Sequence, residues 1–169
     1  MLIRKATVDD IINISHLYVS NHKTTYKGLV SEDYLNNLTV EKATERWKSC
    51  LCDESKKIWV AFENDTFLGF LASMPDNTSD RIWYLDSLHI CPEARGRGIG
   101  TALIKTAGEY ALKNGYEKMS VCVVKGNESA KKLYMNLGAR HLLSFEDKFD
   151  NSRINSEKLL WDDLKIFIK

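Results

Sequence analysis

Apolar residues recur along the chain with two different periods, and the change from one to the other marks out the elements. From Ile82 to Ile90 aromatic and branched residues crowd together as in a buried strand. Pro92 ends that strand, because proline has no N–H to give to a ladder. Beyond it Ile99, Leu103, Ala107 and Ala111 recur every four residues, the stripe of a helix that Asn114-Gly115 closes. Between strand and helix stand Gly96, Gly98 and Gly100, flanking Arg95 and Arg97.

The rest of the chain punctuates in the same way. Met1–Ala6 alternates as a short strand, and Thr7 caps a helix whose buried face is Ile11, Ile14, Leu17 and Tyr18. Asn21–Gly28 is polar and reads as a turn, and Ser31 to Leu51 as two short helices joined near Thr39. Ile58–Phe62 and Thr66–Ala72 form a hairpin about Glu63-Asn64-Asp65, and Asp76–Asp80 is a polar loop. Lys118–Val124 is a buried strand. Asn127 caps a helix with Ala130, Leu133, Tyr134 and Leu137 on its apolar face, and Gly138 stops it. Strands follow near Ala139–Glu146 and Ser156–Trp161, joined by a polar link, Asp147–Asn155, that reads as disordered. The expected class is α+β with a mixed sheet of about seven strands, and four to five helices flank it. Helical crossovers on either side of the Lys118 strand place parallel strands at the centre.

Composition narrows the function without naming it. The 169 residues suit one domain, 1–169, with a substantial core. Lys plus Arg number 24 and Asp plus Glu 23, so no charge excess favours nucleic acid or an anionic membrane. Lacking a long apolar run or a signal peptide, the chain is expected to be cytoplasmic. Cys50, Cys52, Cys91 and Cys122 then fit reduced thiols, and Cys50-x-Cys52 has no second pair to complete a metal site. No metal is expected.

A strand, a glycine-rich turn and a helix start together make a site for anionic phosphates, since the first helical N–H groups lack partners within the helix. An ATPase-type loop needs Gly-Lys-Ser/Thr, but Gly100-Thr101-Ala102 stands here. A dinucleotide fold needs an acid after the next strand, where Met119–Cys122 offers none. Arg95–Gly100, following Leu88-His89-Ile90 and Pro92, fits a third form, Gln/Arg-x-x-Gly-x-Gly/Ala. It resembles the acyl-coenzyme A pyrophosphate loop of the GNAT superfamily of N-acetyltransferases. A second stretch, Asn127 to Ala139, resembles that family's Asn-x-x-Ala-x-x-x-Tyr-x-x-x-Gly segment, and the element order matches over nearly the whole chain.

The resemblance implies a sheet whose two central parallel strands splay around the pantetheine arm. It implies that backbone at Leu88, His89 and Ile90 pairs with pantetheine, and that Arg95, Gly96, Arg97, Gly98, Ile99, Gly100 and Thr101 hold the pyrophosphate. It makes Asn127 a ligand of the arm as well as a cap. Tyr134 becomes the acid that protonates the sulfur, as well as a cofactor contact; otherwise it is a core aromatic. Some family members carry a Glu five residues before that Asn, but Cys122 stands there. Asp86, an acid in an apolar strand, lies where other members place a base; a structural hydrogen bond explains it too. Tyr84 and His89 are the next candidates, and strict alternation sets His89 on the face opposite Asp86. Tyr26, Trp47 and Trp83 are wall residues of an acceptor site or core.

The expected function is transfer of an acetyl group from acetyl-CoA to a primary amine of a small molecule or peptide, by direct attack in a ternary complex. A non-catalytic acyl-CoA sensor is the alternative. The expected partners are acetyl-CoA and the amine, with a homodimer allowed; no nucleic acid and no membrane partner is expected.

Overall fold

A computed structural model describes residues 1–149 and 152–168. Seven strands form one sheet in the order β1-β2-β3-β4-β5-β7-β6. They are β1 Leu2–Lys5, β2 Lys57–Glu63, β3 Thr66–Pro75, β4 Ile82–Ile90, β5 Lys118–Val124, β6 Arg140–Phe149 and β7 Ser152–Trp161. Five helices accompany them: α1 Ile11–Thr25, α2 Glu32–Asn37, α3 Val40–Cys52, α4 Ile99–Lys113 and α5 Glu128–Asn136. Both faces of the sheet are covered. On one face α4 buries Leu103, Ile104, Ala107 and Ala111 against Leu71, Leu85 and Met119. On the other, α1 and α3 bury Ile14, Tyr18 and Trp47 against Val60 and Phe70. Each such large apolar side chain contributes roughly 1.5–3 kcal/mol. Trp47 and Trp83 are 0% and 1% exposed, so both are core and not wall.

The central pair opens as the sequence led us to expect. β4 and β5 run parallel and pair only from Ile82↔Lys118 to Leu85↔Val121. Past that point β4 continues to Ile90 and β5 to Val124, where β5 pairs with β7 alone. The unpaired stretch is a wedge that opens toward the glycine turn.

Four local expectations need correction. Asn21–Thr25 is not a turn but the last turns of α1. Asn21 and His22 are buried there and satisfied by distant or backbone partners, so their polarity reports the site and not solvent. The first helical residue is Ile11, after a 3-10 turn at Val8–Asp10. Thr7 is the N-cap of that 3-10 turn and not of α1 itself, and Asp10 completes a capping box with it: its carboxylate accepts the Thr7 amide at 2.7 Å and pairs with Arg4. Asp147–Asn155 is not a loose link either. Asp147–Phe149 pairs with Ser152–Ile154 in a hairpin of β6 and β7, with Glu146 opposite Asn155. Residues 150 and 151 of that link lie outside the described residues. Finally, Asp76 is buried where a solvated loop was expected, accepting from Ser120 Oγ, Lys158 Nζ and Thr78. Burial pushes its carboxyl up, but the bonds from Lys158, Ser120 and Thr78 outweigh that and hold it at about 2.

Other boundaries fall where the sequence put them. Ser31 and Thr39 cap α2 and α3. Asn64 and Asp65, with φ 47° and 64°, make the tight turn between β2 and β3. After β7 comes a 3-10 turn, Leu164–Ile168, whose Phe167 ring packs on α4 at Gly108. A Cβ built on Gly108 would lie 2.3 Å from that ring. Gly108→Ala should therefore lower stability by about 1–3 kcal/mol, as overpacking does. Urea melts of the two proteins check this, and an unchanged midpoint would mean that Phe167 is free to leave.

Candidate active site

The mouth of the wedge is built by the glycine turn. Gly96 and Gly98 have φ of 75° and 79°, a region that L side chains rarely adopt. A Cβ on either would meet no protein atom, so the space above them is open. The first bond of α4 runs from Ala102 N to Gly98 O at 3.0 Å. The amides of Ile99, Gly100 and Thr101 thus lack intrahelical partners and carry the positive end of the helix dipole. They face a cavity of about 560 Å³, lined also by Leu88, Ile90, Arg95 and Leu133. Arg97 lies outside this lining and pairs with Glu63 of β2.

Asn21 ties the loop to the wedge. Its Nδ2 donates to the Ile90 carbonyl at 3.1 Å, and its Oδ1 accepts from Arg95 Nη2 at 3.0 Å. One side chain thereby fixes the end of β4 and aims the loop's cation. Asn21→Ala should weaken coenzyme A binding by about 10-fold, the value of one lost charge-assisted bond, with the fold intact. Calorimetry checks it; equal affinity would mean that the loop holds Arg95 unaided. Gly69 opposite Ile90 keeps the other side close: a Cβ there would sit 2.5 Å from the His89 carbonyl oxygen.

A second cavity of about 370 Å³ lies on the other side of the splay. Tyr26, Leu88, His89, Asn127, Ala130 and Tyr134 line both cavities, so the two spaces meet there. Asn127 Oδ1 caps α5 through the Ala130 amide at 3.4 Å, and its side chain also hydrogen-bonds Tyr26. Tyr134 is 6% exposed and stands edge-on to Trp161. Its hydroxyl makes no hydrogen bond among the described residues, and burial raises its pKa, which keeps the proton on oxygen.

The smaller cavity is walled by phenols, imidazoles and one ion pair. Tyr18, Tyr34 and Tyr84 are all held neutral by burial, Tyr34 with a pKa of about 12. Tyr84 hydrogen-bonds Cys122, the residue standing at the Glu position of some family members. Burial lowers His22 to about 4 and His89 well below its ordinary value. His22 Nδ1 lies 3.0 Å from the Tyr18 carbonyl oxygen. That oxygen only accepts, so the proton sits on Nδ1 and Nε2 keeps its lone pair. The His22 and His89 rings are 5.2 Å apart.

Asp86 enters this cavity together with His89, against the parity argument. Ser73 pairs with Leu85 while Ala72 pairs with Ser87, so Asp86 is the extra residue of a β-bulge. The bulge resets the alternation and sets both side chains toward α1 and α3. Asp86 Oδ2 accepts from Arg46 Nη2 at 2.9 Å and from Ser87 Oγ at 3.0 Å. The Arg46 guanidinium lies over the Tyr18 and Trp47 rings at 5.3 and 5.0 Å. Sequence reasoning missed Asn21, His22, Tyr34 and Arg46 at these cavities. Only the repeated aromatic and histidine positions from Tyr18 to Tyr34 carried a signal. No group of three or more His, Cys, Asp or Glu is placed to hold a metal among the described residues. None of their helices is long and apolar enough to cross a membrane.

A splayed parallel pair, with a glycine turn and a helix start at its mouth, is the arrangement that the resemblance implies. The chain belongs to the Acetyltransferase (GNAT) family, whose profile matches residues 24–139. It is similar to the N-acetyltransferase YuaI of Bacillus subtilis (strain 168), 31% identical over 75% of this chain and 73% of that protein. A shorter match to the thialysine N-epsilon-acetyltransferase of Sus scrofa is 41% identical over 37% of each. Among solved structures, an N-acetyltransferase of Thermoplasma acidophilum in complex with coenzyme A has a TM-score of 0.76 and 23% identity, over 92% of this chain and 96% of that one. A spermidine N-acetyltransferase of Vibrio cholerae in complex with coenzyme A and spermine has a TM-score of 0.76 and 19% identity, over 99% and 98%. The protein is an acyl-CoA-dependent acetyltransferase, and the non-catalytic sensor is not favoured.

Proposed function

We propose that the chain, acting as one domain over 1–169, moves an acetyl group from acetyl-CoA directly onto a primary amine. The observation that carries this is the meeting of the two cavities at Tyr134 and His89, where β4 and β5 part. The larger cavity suits a phosphate-bearing arm: Gly96 and Gly98 leave room for it, and the free α4 amides and Arg95 supply donors. Backbone at Leu88, His89 and Ile90, unpaired on the β5 side, is placed to take the pantetheine amides as an added strand would. Asn127 closes the other wall. The free cysteines fit a reducing cytoplasm.

The smaller cavity is assigned to the acceptor. The ammonium must lose a proton before its nitrogen can attack the thioester carbon, and Asp86 takes that proton. The C–N bond forms, the C–S bond breaks, and the nitrogen loses its second proton. Tyr134 gives its proton to the sulfur and regains the nitrogen's second one, directly or through water, while the proton on Asp86 leaves to solvent; overall one proton stays on the thiol and one is released. A neutral, buried Tyr134 at the junction is a donor suited to this step.

Thiol release from acetyl-CoA over a panel of amines tests the assignment. Turnover with at least one amine is expected, and tight acetyl-CoA binding with no turnover at all would overturn it. Tyr134→Phe should lower kcat about 10–100-fold, roughly 1.4–2.7 kcal/mol, with acetyl-CoA affinity nearly unchanged. Single-turnover rates equal to wild type would return Tyr134 to the core and send the proton by another route.

A further inference from the structure

The acceptor cavity contains an ion pair that is only half used. Asp86 commits Oδ2 to Arg46 and Ser87, and its Oδ1 accepts no hydrogen bond among the described residues. Arg46 commits only Nη2 among the described residues. A guanidinium carries five N–H donors, so the other four are available to an acceptor. The guanidinium lies over the Tyr18 and Trp47 rings; the Arg46 side chain is half exposed and that of Asp86 19% exposed. A vacant anionic oxygen therefore stands next to vacant cationic donors in one cavity wall.

The surroundings decide what fits such a wall. The phenols of Tyr18, Tyr34 and Tyr84 and the imidazoles of His22 and His89 line the same space and carry no charge at neutral pH. Asp147, on β6, is the remaining charged lining residue among the described residues; it is exposed, and its Oδ1 already accepts the Lys148 amide at 2.8 Å. A plain ammonium ion drawn to Asp86 would be repelled by Arg46 beside it, so the pair offers a monocation little. A molecule with both charges answers both partners and leaves neither unpaired. About 370 Å³ lies at the low end of small-molecule sites, which suits a compact acceptor.

We propose that the acceptor is a small zwitterion, a free amino acid whose carboxylate lies a few bonds from the reacting amine, and that Asp86 and Arg46 receive it together. The ammonium binds Asp86 Oδ1, from which it is deprotonated, and the carboxylate takes the open edge of the Arg46 fork. The phenol and imidazole walls are left to the amino-acid side chain. This inference rests on the acetyltransferase reading and adds the class of substrate to it.

Matched substrates separate the two. Free amino acids, their amides and the corresponding decarboxylated amines are compared by thiol release and by mass of the acetylated product. For the preferred side chain, kcat/KM for the free acid should exceed that of its amide by about 10–100-fold, the range for a bidentate charged contact. In Arg46→Gln that ratio should collapse to within about 3-fold. Calorimetry with acetyl-CoA shows whether the variant keeps its fold and cofactor site. Equal rates for acid and amide in the wild type, or a ratio that survives Arg46→Gln in a variant that still binds acetyl-CoA, would overturn the proposal. Preference for the decarboxylated amines would overturn it too, while leaving the acetyltransferase reading standing. No turnover of any amine would overturn both.

Discussion

Gly98→Val is expected to leave a folded protein that no longer binds coenzyme A. The backbone at Gly98 has φ 79°, and its open side faces the larger cavity. A branched side chain is strained there by roughly 1–3 kcal/mol, relieved only by turning the local peptides. That turn takes the Ile99 and Gly100 amides out of line, and the valine methyls fill the space above them. Two hydrogen bonds to an anion, at about 1.5–3 kcal/mol each, amount to roughly 10²–10⁴-fold in affinity. The fold should survive because a Cβ at Gly98 meets no protein atom. Calorimetry beside circular dichroism reads both halves, and native affinity in a folded variant would remove the phosphate-loop assignment.

Asp86→Asn should lower kcat/KM by about 10²–10³-fold at neutral pH, within the usual range for a general base. Raising the pH should restore part of the loss, about tenfold per unit below the amine's own pKa, because more of the acceptor is then already neutral. The affinity for acetyl-CoA should hold, since Asp86 lines only the smaller cavity. An equal deficit at every pH would reduce Asp86 to a brace for Arg46.

The parts of this site that were legible in the sequence are local ones. The turn at Gly96–Gly100 announces itself because the apolar period changes across it, and glycines stand where φ is positive. Asn127 caps the helix that carries Tyr134, so their spacing alone puts them together. Asn21 was unreadable for the opposite reason: the groups that make its burial tolerable, Ile90 O and Arg95, lie 69 and 74 residues away. A polar residue whose partners are that remote looks like a turn. Asp86 shows a second limit. Its orientation follows from the register of β4 against β3, and a one-residue bulge there reverses any argument from alternation. Arg46 shows a third. On an amphipathic helix its charge reads as solvent-facing, yet it reaches 40 residues along the chain to Asp86. Both strands of the β6–β7 hairpin were legible, but their continuation through the polar link was hidden, because much of β6 faces outward and carries polar residues along an edge strand.

The most direct measurement follows the acetyl group itself. The protein is mixed with carbonyl-labelled acetyl-CoA, first alone and then with an acceptor amine, and protein and small molecules are weighed by mass spectrometry at each stage. The account predicts no label on the protein in either stage, and one labelled N-acetyl product for each thiol released once amine is present. A labelled protein formed before the amine is added, or bound acetyl-CoA that stays intact with every amine offered, would contradict it.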